Sequence, residues 1–299
     1  MGCSCERTKE VLNEEENPNF PTCRLSIPCT GQIFCMVALD SYHIILGGNC
    51  ELKMFDIKTN EISVISNDIN GRINCLIKLP DDNIVSGGQD GKIKIWDINN
   101  KKCLNVLEGH KSIIWDVKYV NKNILVSASD DNTSKIFNLS DNTSKFLYST
   151  RKYISCIAVL KNNKVLLSSS KVLLLFDLDT KNQEGFLDIS AWTLKVLKNG
   201  DIAVGLCNGL LNIIEINKEI KIKTQFARGH NSTINFIIEL ENGKIVTSSD
   251  ESNLILWDRN NKDSFYVIRG HEDKVYSLCL VEKNKFATFS MDNTLKIWE

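Results

Sequence analysis

The chain is short of the features that mark several protein classes. Only 4 of its 299 residues are proline, which excludes collagen-like and proline-rich tracts. No run of 18 apolar residues occurs, so no segment reads as a transmembrane helix. Neither charge sign prevails: 36 Lys and Arg face 37 Asp and Glu. That balance gives no global attraction to nucleic acid or anionic lipid, and no nucleic-acid partner is expected. Residues 1–10 lack the apolar centre of a signal peptide, so the 11 cysteines read as reduced thiols of a cytoplasmic protein. Their number is odd and none is spaced Cys-x-x-Cys, which suggests neither a disulfide framework nor a zinc ribbon. The glycine patterns that cradle phosphate are missing, as are His-Glu-x-x-His and Gly-x-Ser-x-Gly. No catalytic residue, metal ligand or cofactor is therefore expected, and the chain reads as non-enzymatic. What remains is ordinary globular composition, 42% hydrophobic and 24% charged, in a chain long enough to bury a large core.

The sequence repeats. Seven short apolar segments begin at Ile33, Ile73, Ile113, Ile154, Ala191, Ile234 and Val275, 40, 40, 41, 37, 43 and 41 residues apart. A second row is anchored at Phe55, Trp96, Phe137, Phe176, Ile214, Trp257 and Trp298 and keeps the same period. Each unit holds four runs rich in Val, Ile, Phe and Trp, separated by Asn, Asp and Gly. Alternation such as Lys92-Ile93-Lys94-Ile95-Trp96 is that of a strand. Four strands in about 40 residues, seven times over, predict an all-β, seven-bladed β-propeller across 21–299, preceded by an acidic tail over 1–20. The last unit stops at Glu299 after its third strand. The stretch Thr22 to Ile27 stands where an outer strand belongs, and it is expected to pair with Thr294 to Trp298 and remove the open edge.

Aromatic-Asp pairs end the third strand of several units, at Phe55-Asp56, Trp96-Asp97, Phe176-Asp177 and Trp257-Asp258. Gly-His occurs at 109–110, 229–230 and 270–271, and an Asp precedes the Trp position by six residues at Asp90, Asp131 and Asp292. These motifs resemble those of the WD40-repeat family, over almost the whole chain. The resemblance implies hydrogen-bonded sets within single blades: His110 with Ser127 and Asp131, His271 with Thr288, Asp292 and Trp298, and His230 with Trp257 and either Asp250 or Glu251. Under it the histidines are structural rather than catalytic or metal-binding. The units without Gly-His are expected to pack less regularly. Asp201, in a turn between strands, is expected to have no partner.

In a propeller, the loops that lead into the innermost strands surround one mouth of the central channel. Here they carry Phe34, Trp192 and Tyr276 just after the strand starts, and Arg72, Arg151, Lys152 and Tyr153 just before them. Aromatic and arginine side chains are enriched where proteins bind one another, so these seven form the expected partner-binding face. For Phe34 and Trp192 a second reading is packing between blades. Trp192 is the sharpest case, because it stands where other units carry Asn74, Ser155 or Asn235. Cys35, Cys75 and Cys156 share one register of the innermost strand, where a small apolar side chain fits a crowded axis.

By resemblance, the expected function is that of a protein or peptide-binding scaffold, a subunit or adaptor of a larger assembly in signalling, ubiquitin ligation or the cytoskeleton and cilium. The start Met1-Gly2-Cys3-Ser4-Cys5 offers an alternative, a scaffold tethered to a membrane through acyl groups on Gly2, Cys3 and Cys5. Glu6 stands where the myristoylation motif wants Ser or Thr.

Overall fold

The computed structural model describes residues 21–299 except Lys122, Lys218 and Ser264; Gly2, Cys3 and Cys5 lie outside the described residues. Among the described residues, twenty-eight strands form seven antiparallel sheets of four. Blades 1 to 6 span 33–66, 73–107, 114–149, 154–188, 191–225 and 234–268. Blade 7 is made of Val275–Glu282, Lys285–Ser290 and Thr294–Trp298, completed by Cys23–Pro28. Each innermost strand touches that of the next blade, and the seventh touches the first, so the ring is closed around a channel.

The seam follows the register Leu25 to Ile297, Ser26 to Lys296, Ile27 to Leu295 and Pro28 to Thr294. Thr22 and Glu299 exchange backbone hydrogen bonds at one end, with N···O distances of 2.8 and 3.1 Å. Pro28 is tolerated because it ends an outermost strand, where its missing N–H breaks no ladder.

The turn between the second and third strands explains much of the Asn, Asp and Gly content. It reads Asp90-Gly91, Asp131-Asn132, Asn208-Gly209 and Asp292-Asn293. The second residue of each pair has a φ of 70°, 67°, 84° and 60°, the left-handed region that Gly and Asn enter most readily. The first residue's side chain accepts the N–H two positions on, as Asp131 does from Thr133 at 3.0 Å and Asp292 from Thr294 at 2.9 Å.

Adjacent blades meet near the axis, and that contact sets the small residues of the second strands. A Cβ on Gly87 would stand 2.9 Å from both Cys75 Sγ and the Cγ2 of Ile114 in the next blade. Gly47 is confined in the same way by Cys35 and Ile73, and Gly205 by Thr193 and Ile234. Cys35, Cys75 and Cys156 are buried opposite Gly47, Gly87 and Ser168. Burial pushes the Cys75 and Cys156 thiols up to about 12 and Cys35 well above its ordinary value, so they are protonated packing groups at neutral pH.

The second sequence row forms the cores between blades. Phe55, Phe137, Ile214, Trp257 and Trp298 are buried almost completely, as are Trp96 and Phe176. Blades 1, 2, 4 and 5, which lack Gly-His, still have four paired strands each. In blade 2 the Trp96 indole N–H donates to Ser86 Oγ at 2.8 Å without a histidine. An apolar plug is thus enough to hold a blade's sheet in place.

Candidate functional site: the channel mouth

Three blades carry a polar relay among the described residues. In blade 7 the Trp298 indole donates to Thr288 Oγ1 at 2.8 Å, and Thr288 Oγ1 lies 2.7 Å from His271 Nε2. His271 Nδ1 lies 2.8 Å from Asp292 Oδ2, which also accepts the Glu272 N–H at 3.0 Å. The carboxylate fixes the tautomer: Nδ1 carries the proton, and Nε2 accepts from the hydroxyl. Blade 6 repeats the relay through Trp257, Thr247, His230 and Glu251, with His230 Nδ1 3.0 Å from Glu251 Oε2. Asp250 instead accepts from Asn235 Nδ2 at 3.0 Å. In blade 3, His110 lies 2.6 Å from Ser127 Oγ and 2.9 Å from Asp131 Oδ2, while Phe137 has no N–H to give.

Burial lowers the pKa of all three histidines despite their acidic partners, so they are neutral at pH 7. Burial also opposes ionisation of Asp131 and Asp292. Bonds from Thr133, Lys111 and His110, and from Thr294, Glu272 and His271, outweigh it and hold both near 2.

Every innermost strand carries a bulge at one place. Its register shifts between Ile33 and Cys35, Ile73 and Cys75, Ile114 and Asp116, Ile154 and Cys156, Ala191 and Thr193, Ile234 and Phe236, and Val275 and Ser277. The extra residue at each bulge is left out of the ladder and re-aimed. Those seven residues are Phe34, Asn74, Trp115, Ser155, Trp192, Asn235 and Tyr276, and four of them are aromatic. The third blade corrects the sequence reading. The position equivalent to Ile33 is Ile114, opposite Ser129, and not Ile113. The shift of one residue brings in Trp115, which repeat spacing does not single out.

The rings form an arc. Tyr276 and Phe34 have centroids 5.6 Å apart, Trp115 and Trp192 6.0 Å, and Tyr153 and Trp192 6.3 Å. The Arg72 guanidinium joins the two ends, 4.8 Å from the Phe34 ring centroid and 5.6 Å from that of Trp115. Phe34, Arg72, Trp115, Trp192 and Tyr276 are half-buried, and Arg151, Lys152 and Tyr153 are exposed beside them. All but these last three line the central cavity of about 730 Å³.

Asp201 departs from its expectation. It is 8% exposed and pairs with Lys223 at 2.9 Å and Arg259 of blade 6 at 3.6 Å, and accepts from Asn199 Nδ2 at 2.7 Å. Its charged partners sit on the outer strand and in the next blade, where repeat spacing gives no hint of them.

The family model for the WD domain, G-beta repeat, matches residues 61–97, 101–138 and 262–299. Each match begins at an outer strand and runs through three strands of the following blade, so the sequence repeat is offset from the structural blade by one strand. Among curated relatives, Cell division control protein 4 of Saccharomyces cerevisiae is 27% identical over 76% of this chain, and Transcriptional corepressor LEUNIG_HOMOLOG of Arabidopsis thaliana is 24% identical over 73%. The aligned region spans 28% of the length of each. The p21-activated protein kinase-interacting protein 1-like of Danio rerio is 24% identical over 70% of this chain and 58% of its own length. Among solved structures, the WD40 beta propeller domain of Doa1 superposes with a TM-score of 0.81 at 16% identity, covering 94% of this chain and 97% of that one. The chain is a WD40-repeat protein folded as a seven-bladed β-propeller.

Proposed function

We propose that the chain is a non-enzymatic scaffold that docks a partner protein on the aromatic mouth of its channel. The observation that carries this reading is the arc of Tyr276, Phe34, Arg72, Trp115, Trp192 and Tyr153. Six large side chains meet at one opening, four on bulged innermost strands of a closed ring and two, Arg72 and Tyr153, in the residues that lead into such strands. Rigid, half-exposed aromatic rings give up little conformational entropy on binding and offer large contact area, as binding centres do. Arg151 and Lys152 add positive charge at the rim, suited to steering and orienting a partner.

Names among the relatives support a place in a larger assembly, since they include Eukaryotic translation initiation factor 3 subunit I and WD repeat and SOCS box-containing protein 1. Signalling, ubiquitin-ligase and cytoskeletal or ciliary assemblies are the settings proposed for this chain. Affinity capture from native cells tests the reading, with wild type compared against Trp192→Ala and Arg151→Glu. Both variants should lose the same dominant partner while melting within a few degrees of wild type. Full retention by both would reject the face. Gly2, Cys3 and Cys5 support a second reading, a membrane-tethered form of the same scaffold. The intact mass of native protein decides it, because each acyl chain adds a defined increment.

A further inference from the structure

The central cavity is lined by five charged side chains, Arg72 of the arc together with Asp116, Lys118, Lys195 and Asp250. Four are committed. Arg72 lies over two rings. Asp116 and Lys118 pair at 2.6 Å, and the second oxygen of Asp116 accepts the Ile157 N–H at 2.9 Å. Asp250 holds Asn235. The Lys195 ammonium makes no hydrogen bond or ion pair among the described residues.

Two charges bear on Lys195. Burial lowers its pKa, Lys118 acts in the same direction, and Glu239 opposes them. Glu239 is already bound, because Oε1 lies 3.2 Å from Arg259 Nη1 and Oε2 accepts the Lys198 N–H at 2.7 Å. A second unpartnered donor lines the same cavity. The Trp115 indole N–H is buried with no acceptor in reach among the described residues. Unpaired buried donors are costly, and an unpaired buried ammonium more so.

We infer that the channel receives an acidic side chain of the docked partner, whose carboxylate pairs with Lys195. This rests on the docking face proposed above and specifies the chemistry of its occupant. Three cations against two carboxylates leave the cavity lining with a net charge of +1, and Lys195 is the charged side chain among them with no partner among the described residues, so the complementary group is a single anion. A peptide side chain fits better than a free anion because of depth. Lys195 stands three residues beyond Trp192 on the same strand, about 10 Å along it. A residue seated against the rings of Trp115, Trp192 and Tyr153 can therefore extend its carboxylate inward while its neighbours cover the arc.

The test is selection of random 12-residue peptides displayed on phage against the full chain, with affinities of the selected peptides then measured in solution. The inference expects a fixed Asp or Glu flanked by apolar or aromatic positions. Lys195→Met in the protein, or Gln for Glu in the peptide, should each weaken binding about tenfold or more, and Lys195→Arg should largely retain it. The peptide substitution needs no change to the protein, so it stands even if Lys195→Met folds poorly. Selection of neutral or basic residues at that position, or an affinity indifferent to both changes, would overturn the inference. Competition by millimolar acetate as strong as by the peptide would also overturn it, because the channel would then be a free-anion site. If Trp192→Ala abolishes binding but the charge changes do not, the docking face stands and the acidic occupant falls. If no peptide is selected, or Trp192→Ala binds like wild type, both fall.

Discussion

Trp115 and Trp192 belong to blades 3 and 5, yet their ring centroids lie 6.0 Å apart, so they meet across blade 4. The bulged position of blade 4 is Ser155, which is small and buried, and its hydroxyl turns toward Ser168 O and Ala191 O. A small residue between two large ones lets the rings close over it. Ser155→Phe should push them apart. It is expected to lower the melting temperature by no more than a few degrees and to quench or shift tryptophan fluorescence. A spectrum identical to wild type would show that the two rings are not in contact in solution.

The polar relay of blade 7 should be costly to interrupt. Asp292→Ala removes the acceptor of His271 and of the Glu272 N–H, and an orphaned buried donor costs about 1–3 kcal/mol. Thr288→Val breaks the same relay one step earlier, between Trp298 and His271. In denaturant titration the double variant should lose clearly less than the sum of the two single variants, because the groups share one network. Strict additivity would contradict it.

Acid should unfold the protein in two stages. The pKa values of His110, His230 and His271 are lowered by burial, so the unfolded chain binds protons more readily. Stability is complete above the ordinary histidine value near 6.5 and declines as pH falls below it. Asp131 and Asp292 sit near 2 against an ordinary 3.8. Each contributes about 2 kcal/mol that is present above pH 4 and is lost as pH falls toward 2. Melting temperatures from pH 8 to pH 2 check this, and replacing all three histidines should flatten the first stage.

Removing residues 1–30 takes away the outer strand of blade 7 and its hydrogen bonds to Thr294–Trp298. The shortened chain should melt roughly 10 °C or more below the full chain, or become insoluble through the opened edge. An unchanged melting temperature would contradict the closure.

Gly87 is a position where blade contact leaves little room. Gly87→Val must displace Cys75 or Ile114, at a cost of roughly 1–3 kcal/mol. Gly243, with nothing within 4 Å of its Cβ position, has space for a side chain, and its φ of 80° limits the cost of Gly243→Asn to strain. Equal stabilities for the two variants would contradict the packing account.

The ring and its seam were legible because two apolar rows repeat with one period, and the same grammar places Cys23–Pro28 opposite Thr294–Trp298. The mouth was legible only in part. Ile113 and Ile114 are both isoleucine, and spacing cannot choose between them. The pairing of Ile114 with Ser129 does, and it puts Trp115 on the rim. For His230 the repeat offered Asp250 and Glu251. Adjacent residues point to opposite sides, and only Glu251 faces the imidazole. Asp201 and Lys195 depend on charges brought together from other strands and blades, which no local pattern encodes.

The central claim is that partners dock on the aromatic mouth rather than on the outer wall, where Phe186 is 61% exposed and Phe146 53%. A photo-crosslinking benzophenone amino acid placed at Trp192 or at Phe186 decides between them in native cells. The account predicts a discrete crosslinked partner from position 192 and none from 186. Crosslinking from 186 with none from 192 would contradict it.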